Sequence, residues 1–175
     1  MRSRYHLFPR LGRFVISPNS SVSGLSHLFF SSPEFLLQGP ELLVDCRVYD
    51  YSLDLWGVGC MLAGMLFKRD DPFFKGRDND DQLLKIVKVL GTEALFDYLD
   101  KYNLVMNDEC VRLVGHKRKG ISRKAWQSFV TKECADTATP EGMDLLDKLL
   151  RYDHMERLTA KEAQAHPFFD AVRPI

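Results

Sequence analysis

Gly39-Pro40-Glu41-Leu42-Leu43 and, thirteen residues after Glu41, Asp54-Leu55-Trp56-Gly57-Val58-Gly59-Cys60 are the stretches whose reading decides the fold. The second opens an apolar run from Leu53 to Phe67, interrupted by Asp54 and three Gly. Ser52 stands where a helix N-cap belongs, and the run is apolar on nearly every face. That pattern predicts a helix buried at the centre of a domain. The run is too short to cross a bilayer, so no membrane association is expected.

Downstream, the signals remain helical. Asp70-Asp71-Pro72 breaks the chain. Asp78 or Asn79 then caps a helix whose Leu83, Ile86, Val87 and Leu90 recur at i, i+3, i+4, i+7 and which Gly91 stops. Thr92-Glu93 opens a helix through about Lys101, and a weaker one covers about Asp108 to Val114. Ser122 is expected to cap a helix carrying Trp126 and Phe129, both read as core. Thr139-Pro140-Glu141 is a helix start with Pro at the first position, leading into Leu145, Leu146, Leu149 and Leu150. Thr159 and Glu162 have capping-box spacing, and Pro167 ends that last helix. No alternating run reads as a strand, so the fold class is mainly α.

Residues 1–38 differ in character. They hold eight Ser, four Arg (Arg2, Arg4, Arg10, Arg13) and one acid, Glu34, hence 4 − 1 = +3. The whole chain is neutral, with 24 basic and 24 acidic residues, so the remainder is −3 and no nucleic-acid partner is expected. An Arg- and Ser-rich, acid-poor start reads first as a disordered or non-native tail, with an organelle transit peptide as the alternative. Residues 1–38 are thus set apart from a folded unit at 39–175. Cys46, Cys60, Cys110 and Cys134 have no CxxC spacing, which argues for reduced thiols in an intracellular protein.

These motifs carry a family resemblance. Gly39-Pro40-Glu41 resembles the Ala-Pro-Glu element that closes a protein kinase activation segment, and Asp54–Cys60 resembles the start of the central helix of the kinase C-lobe. Val44-Asp45, Tyr49–Asp54, Asp71–Phe74, Asp78-Asn79, Lys88–Thr92, Asp147–His154 and Arg157–Ala160 resemble casein kinase II, catalytic subunit. The resemblance runs from residue 39 to about 173, with Leu83–Lys119 lying where the wider kinase group carries an insert. Departures are Gly57 for Ser, an extra residue at Lys68–Asp71, a few more near Lys117–Ile121, and Gly142 for Ala, which costs about 1 kcal/mol in a helix.

The resemblance implies an incomplete kinase-like C-lobe with a central buried helix, from a family of ATP- and magnesium-dependent serine/threonine transferases acting on acidic sites. It also implies that this chain is inactive. A kinase needs a Gly-rich loop, a strand Lys, a His-Arg-Asp loop and an Asp-Phe-Gly. None occurs in the 175 residues. No catalytic, cofactor-binding or metal residue is therefore assigned, and no cofactor is expected for this chain. The landmarks are structural: Gly39, Pro40, Glu41, Asp54, Trp56, Gly59 and Arg157. By resemblance Glu41 pairs with Arg157; as bare residues they are equally two solvated charges. Asp54 holds the catalytic loop in the family and otherwise caps its own helix.

The implied location is nucleus or cytoplasm, with an organelle as the alternative if the N-terminus is a targeting peptide. A regulatory subunit that docks on the N-lobe is not expected to bind. A protein partner covering the central helix, in a non-catalytic binding or decoy role, is the alternative function. The Asp78–Asp81 cluster reads as helix-dipole support or as a metal site, and Lys117–Lys124 as a solvated loop or as a site for phosphate, acidic peptide or nucleic acid, the solvated loop being the default. His6, His27, His116, His154 and His166 have no Ser or Cys partner at a recognisable spacing.

Overall fold

The computed structural model describes residues 37–47 and 50–172. The expectations for residues 1–36 lie outside the described residues; Leu37, the first one described, packs against the core. Among the described residues the secondary structure is helical with no strand. In chain order the helices are α1 (Pro40–Leu43), α2 (Ser52–Leu66), α3 (Asn79–Leu90), α4 (Thr92–Tyr102), α5 (Asp108–Val114), α6 (Pro140–Leu149) and α7 (Ala160–Gln164). Short 3-10 turns at Trp126–Phe129, His154–Glu156 and Pro167–Val172 fill the gaps.

The caps explain where the helices begin. Asp78 accepts from the Asp81 N–H at 2.7 Å to start α3, and Thr139 accepts from the Gly142 N–H at 3.1 Å to start α6. At α7, Thr159 and Glu162 form the reciprocal capping box. Ser52 does not supply the expected cap of α2, whose N-cap position is Tyr51 without a side-chain cap bond. Ser52 is itself the first residue of α2, and its N–H donates to the Asp50 carboxylate at 2.8 Å. That hydrogen bond is the main reason the Asp50 carboxyl sits below its usual range.

The periodic apolar positions of α3 and α6 are all buried: Leu83, Ile86, Val87 and Leu90 on one, Leu145, Leu146 and Leu149 on the other, with Leu150 following. α3 packs against α1, α4 and α5, while α2 lies along α6. The α2–α6 contact is close because both helices present glycine there. A Cβ on Gly59 would meet Leu150 Cδ2 at 2.7 Å, and one on Gly142 would meet Leu66 Cδ2 at 2.8 Å. Gly142 therefore gives up helix propensity but admits a buried leucine methyl.

One expectation needs correction. The helix expected after Ser122 is a four-residue 3-10 turn, Trp126–Phe129, without a side-chain cap. In a 3-10 turn residues i and i+3 eclipse. Trp126 and Phe129 thus face the same way, into a cluster with Phe67 and Phe73. The central helix α2 is buried on one side and bare on the other, in keeping with an expected partner surface there. Leu55, Trp56, Gly59, Cys60, Leu62, Ala63 and Leu66 are buried, but Val58, Met61 and Met65 are 43%, 52% and 66% exposed. With exposed Asp54 these fall at i, i+4, i+7, i+11, one stripe along the helix. The described helices pack on the opposite side and leave that stripe bare.

Candidate functional site

The sequence landmarks gather around the first half of α2, and Arg157 is the hub. Its guanidinium forks onto Glu41, with Nη1 to Oε1 and Nη2 to Oε2 both at 2.7 Å. Nε donates to the Arg151 carbonyl at 2.9 Å, Nη1 also to the Ser52 carbonyl at 3.0 Å, and Nη2 also to the Tyr152 carbonyl at 3.3 Å. All five guanidinium donors are thereby used. Both charged side chains are fully buried. The guanidinium carbon lies 5.0 Å from the Trp56 ring centre, and that ring stacks on Phe74 at 5.7 Å.

Each neighbouring landmark serves this arrangement. Pro40 starts α1 at a position where no N–H is needed. Gly39 leaves room for the carboxylate, since a Cβ there would come within 2.5 Å of Glu41 Oε2. Gly59 seats α2 on α6. Asp54 is the exception: it is exposed in the first turn of α2, on the stripe with Val58 and Met61. A carboxylate there favours the positive end of the helix. The cluster is a clasp joining α1, the start of α2 and the chain ahead of α7, with no donor left over for a substrate.

A second polar cluster was not singled out in the sequence. The Asp153 carboxylate, nearly buried, accepts from Lys101, from the Tyr102 hydroxyl at 2.9 Å and from the Met155 N–H at 3.0 Å. Burial would raise this carboxyl, but the hydrogen bonds from Lys101 and Tyr102 outweigh it and hold it below the usual range. Next to it, buried His154 meets the Tyr98 hydroxyl through Nδ1 at 3.3 Å. Lys101 and Asp153 line a cleft of about 290 Å³ with Arg123 and Glu156. The only sequence signal was that Asp153-His154 belonged to a quoted motif.

The acidic cluster is structural. Asp78 caps α3, Asp81 accepts from the Arg77 N–H and pairs with Lys85, and Asp80 accepts from Asn107 and Cys110. Among the described residues no three His, Cys, Asp or Glu side chains come together to hold a metal. The four cysteines are buried and form no disulfide, and burial pushes the Cys60 and Cys110 thiols up to about 12. Part of the basic cluster is paired: Arg118 bonds Asp97 and Asp100, and Arg123 bonds Asp147. His116, Lys117 and Lys119 stay exposed. Among the described residues the Asp78, Asp80 and Asp81 carboxylates are committed to a cap and to neighbouring side chains, and no glycine-rich loop faces a cleft, so this cluster does not fit a magnesium nucleotide.

A family model for the protein kinase domain matches residues 15–169. The match begins upstream of Gly39, where the motif resemblance starts. Among solved structures, the MAP kinase LmaMPK10 from Leishmania major superposes with a TM-score of 0.62 at 26% identity. The superposition covers 79% of this chain and 38% of that kinase, so the chain spans well under half of that protein's length. With the matched span covering most of its length, the chain belongs to the protein kinase domain family.

Proposed function

We propose that these residues form the later part of a serine/threonine kinase domain of the casein kinase II catalytic type, and that the 175-residue chain transfers no phosphoryl group by itself. The observation that carries the first half is the Arg157–Glu41 clasp, set in the motifs Tyr49–Asp54, Lys88–Thr92 and Asp147–His154. The inactivity follows from what catalysis requires. Positioning and electrostatic stabilisation of ATP supply almost all of a kinase's acceleration. The chain has no His-Arg-Asp, no Asp-Phe-Gly and no Gly-x-Gly-x-x-Gly to provide them. In the family, acidic Ser/Thr peptides, ATP and magnesium are the substrates and cofactors, and nucleus or cytoplasm is the location.

The test is to incubate the purified chain with magnesium-ATP and an acidic Ser-containing peptide. No incorporation above a mock preparation and no nucleotide-dependent shift in melting are expected. Saturable nucleotide binding would overturn the inactivity.

The exposed stripe of α2 favours a second reading, a binding module. Val58, Met61 and Met65 form an apolar row that other protein surface would cover, either the rest of a kinase domain or a partner. The chain is expected to bind a hydrophobic dye or self-associate. Met61→Lys with Met65→Lys should abolish this and leave the melting temperature nearly unchanged, because both side chains are already solvated. A dye-silent monomer would remove the binding reading.

A further inference from the structure

The basic loop between α5 and the Trp126 turn has no part in the function proposed above, yet it is built as a specific surface. Thr92, fully buried, ties it down: its N–H donates to the Ile121 carbonyl at 2.9 Å, and its hydroxyl donates to the Arg118 carbonyl at 2.8 Å. The same hydroxyl accepts from the Gly120 and Ile121 N–H groups at 3.0 and 3.1 Å. Past this anchor the Lys124 N–H donates to the Val89 carbonyl at 2.8 Å. Between the two anchors the chain is laid out on the surface. From Lys117 to Ala125 every residue is exposed except half-buried Ile121.

Ser122 sits in the middle of this exposed run. Lys117, Arg118 and Lys119 precede it, Arg123 and Lys124 follow, and no acidic residue occurs between Gly115 and Lys132. Ser122 also lines a groove of about 390 Å³ with Gly91, Ala94, Asp97, Arg118 and Arg123. We propose that Ser122 is a phosphoacceptor for a separate Ser/Thr kinase with an acidic substrate cleft, and that the phosphate seats between Arg118 and Arg123. In the step, Ser122 Oγ attacks the γ-phosphorus of ATP and a new O–P bond forms. The bond to the bridging oxygen breaks, ADP departs, and the hydroxyl proton passes to the modifying enzyme's general base.

The cations favour both stages. An acidic cleft recognises the basic flank by charge complementarity. Once attached, the phosphate carries about −1.5 to −2 charge and three acceptor oxygens. Arg118 pairs with the exposed carboxylates of Asp97 and Asp100, a weak kind of pair, and Arg123 pairs with half-buried Asp147, which also accepts from the Trp126 indole. The phosphate can therefore draw the guanidinium groups towards it, since fork-like contact with a dianion is the stronger bond.

The experiment treats the full chain with cAMP-dependent protein kinase, an Arg/Lys-directed enzyme, and ATP, with the sites mapped by mass spectrometry. Phosphate is expected on Ser122. Lys117→Gln with Lys119→Gln should lower kcat/KM at that serine about tenfold. Phosphorus NMR should place the second ionisation of phospho-Ser122 below the ordinary value of about 6, and Arg123→Gln should return it. Two outcomes overturn the acceptor role: modification confined to other serines while a 115–127 peptide is modified, or modification of neither chain nor peptide at Ser122. An ionisation at the ordinary value overturns the seating.

Discussion

Arg157→Ala should destabilise the fold by about 3–5 kcal/mol, because it strands the Glu41 carboxylate in a site that water does not reach. A domain of this size holds about 5–15 kcal/mol in total, so much of the purified variant should be unfolded at physiological temperature. The loss is large because one side chain closes five hydrogen bonds, to Glu41 and to three carbonyls. Urea melts monitored by circular dichroism provide the measurement. Glu41→Ala should cost a similar amount for the mirror reason. Replacing both residues with apolar ones, Glu41→Leu with Arg157→Met, should be milder than either single change, since no charge is left behind. A single variant that melts like the parent would mean that the two charges contribute as solvated groups do.

Trp56→Ala should cost about 3–5 kcal/mol by a different route, the cavity left by a large side chain in close packing. The ring has no exposed surface, stacks on Phe74 and lies beneath the Arg157 guanidinium. Its indole N–H finds no partner among the described residues. Trp56→Phe therefore sacrifices no hydrogen bond and keeps a ring under the cation, so it should be much less damaging than Trp56→Ala. Thermal melts of the pair test this. Equal damage from both would show that the indole nitrogen matters in a way its surroundings do not reveal.

The parts of the fold that could be read from the sequence are those set by local chemistry. Leu83, Ile86, Val87 and Leu90 fix α3 by spacing alone, and Thr139-Pro140 and Thr159–Glu162 announce α6 and α7 within four residues. The parts that could not be read depend on distant partners. Glu41 and Arg157 are 116 residues apart, and nothing local separates a buried pair from two solvated charges. The rings that the Trp126 turn packs against, Phe67 and Phe73, lie far back in the chain. Ser52 missed the capping position of α2 because Tyr51 ahead of it is already helical at φ −60° and ψ −10°, which draws Ser52 into the first turn. Even the bare stripe of α2 was half visible, since a helix apolar on every face needs neighbours on every face.

Thr92 has one more consequence, for how the chain tolerates added length. One buried hydroxyl and one N–H fasten the backbone at Arg118, Gly120 and Ile121, so the segment from Gly115 to Lys117 ahead of that knot can lengthen without shifting anything behind it. Closing a longer loop is cheap: each doubling of its length costs only about 0.6 kcal/mol. The knot therefore separates the packing of the core from the length of the loop. Residues added ahead of Arg118 can alter the charge carried on this edge while α4 and α6 keep their places.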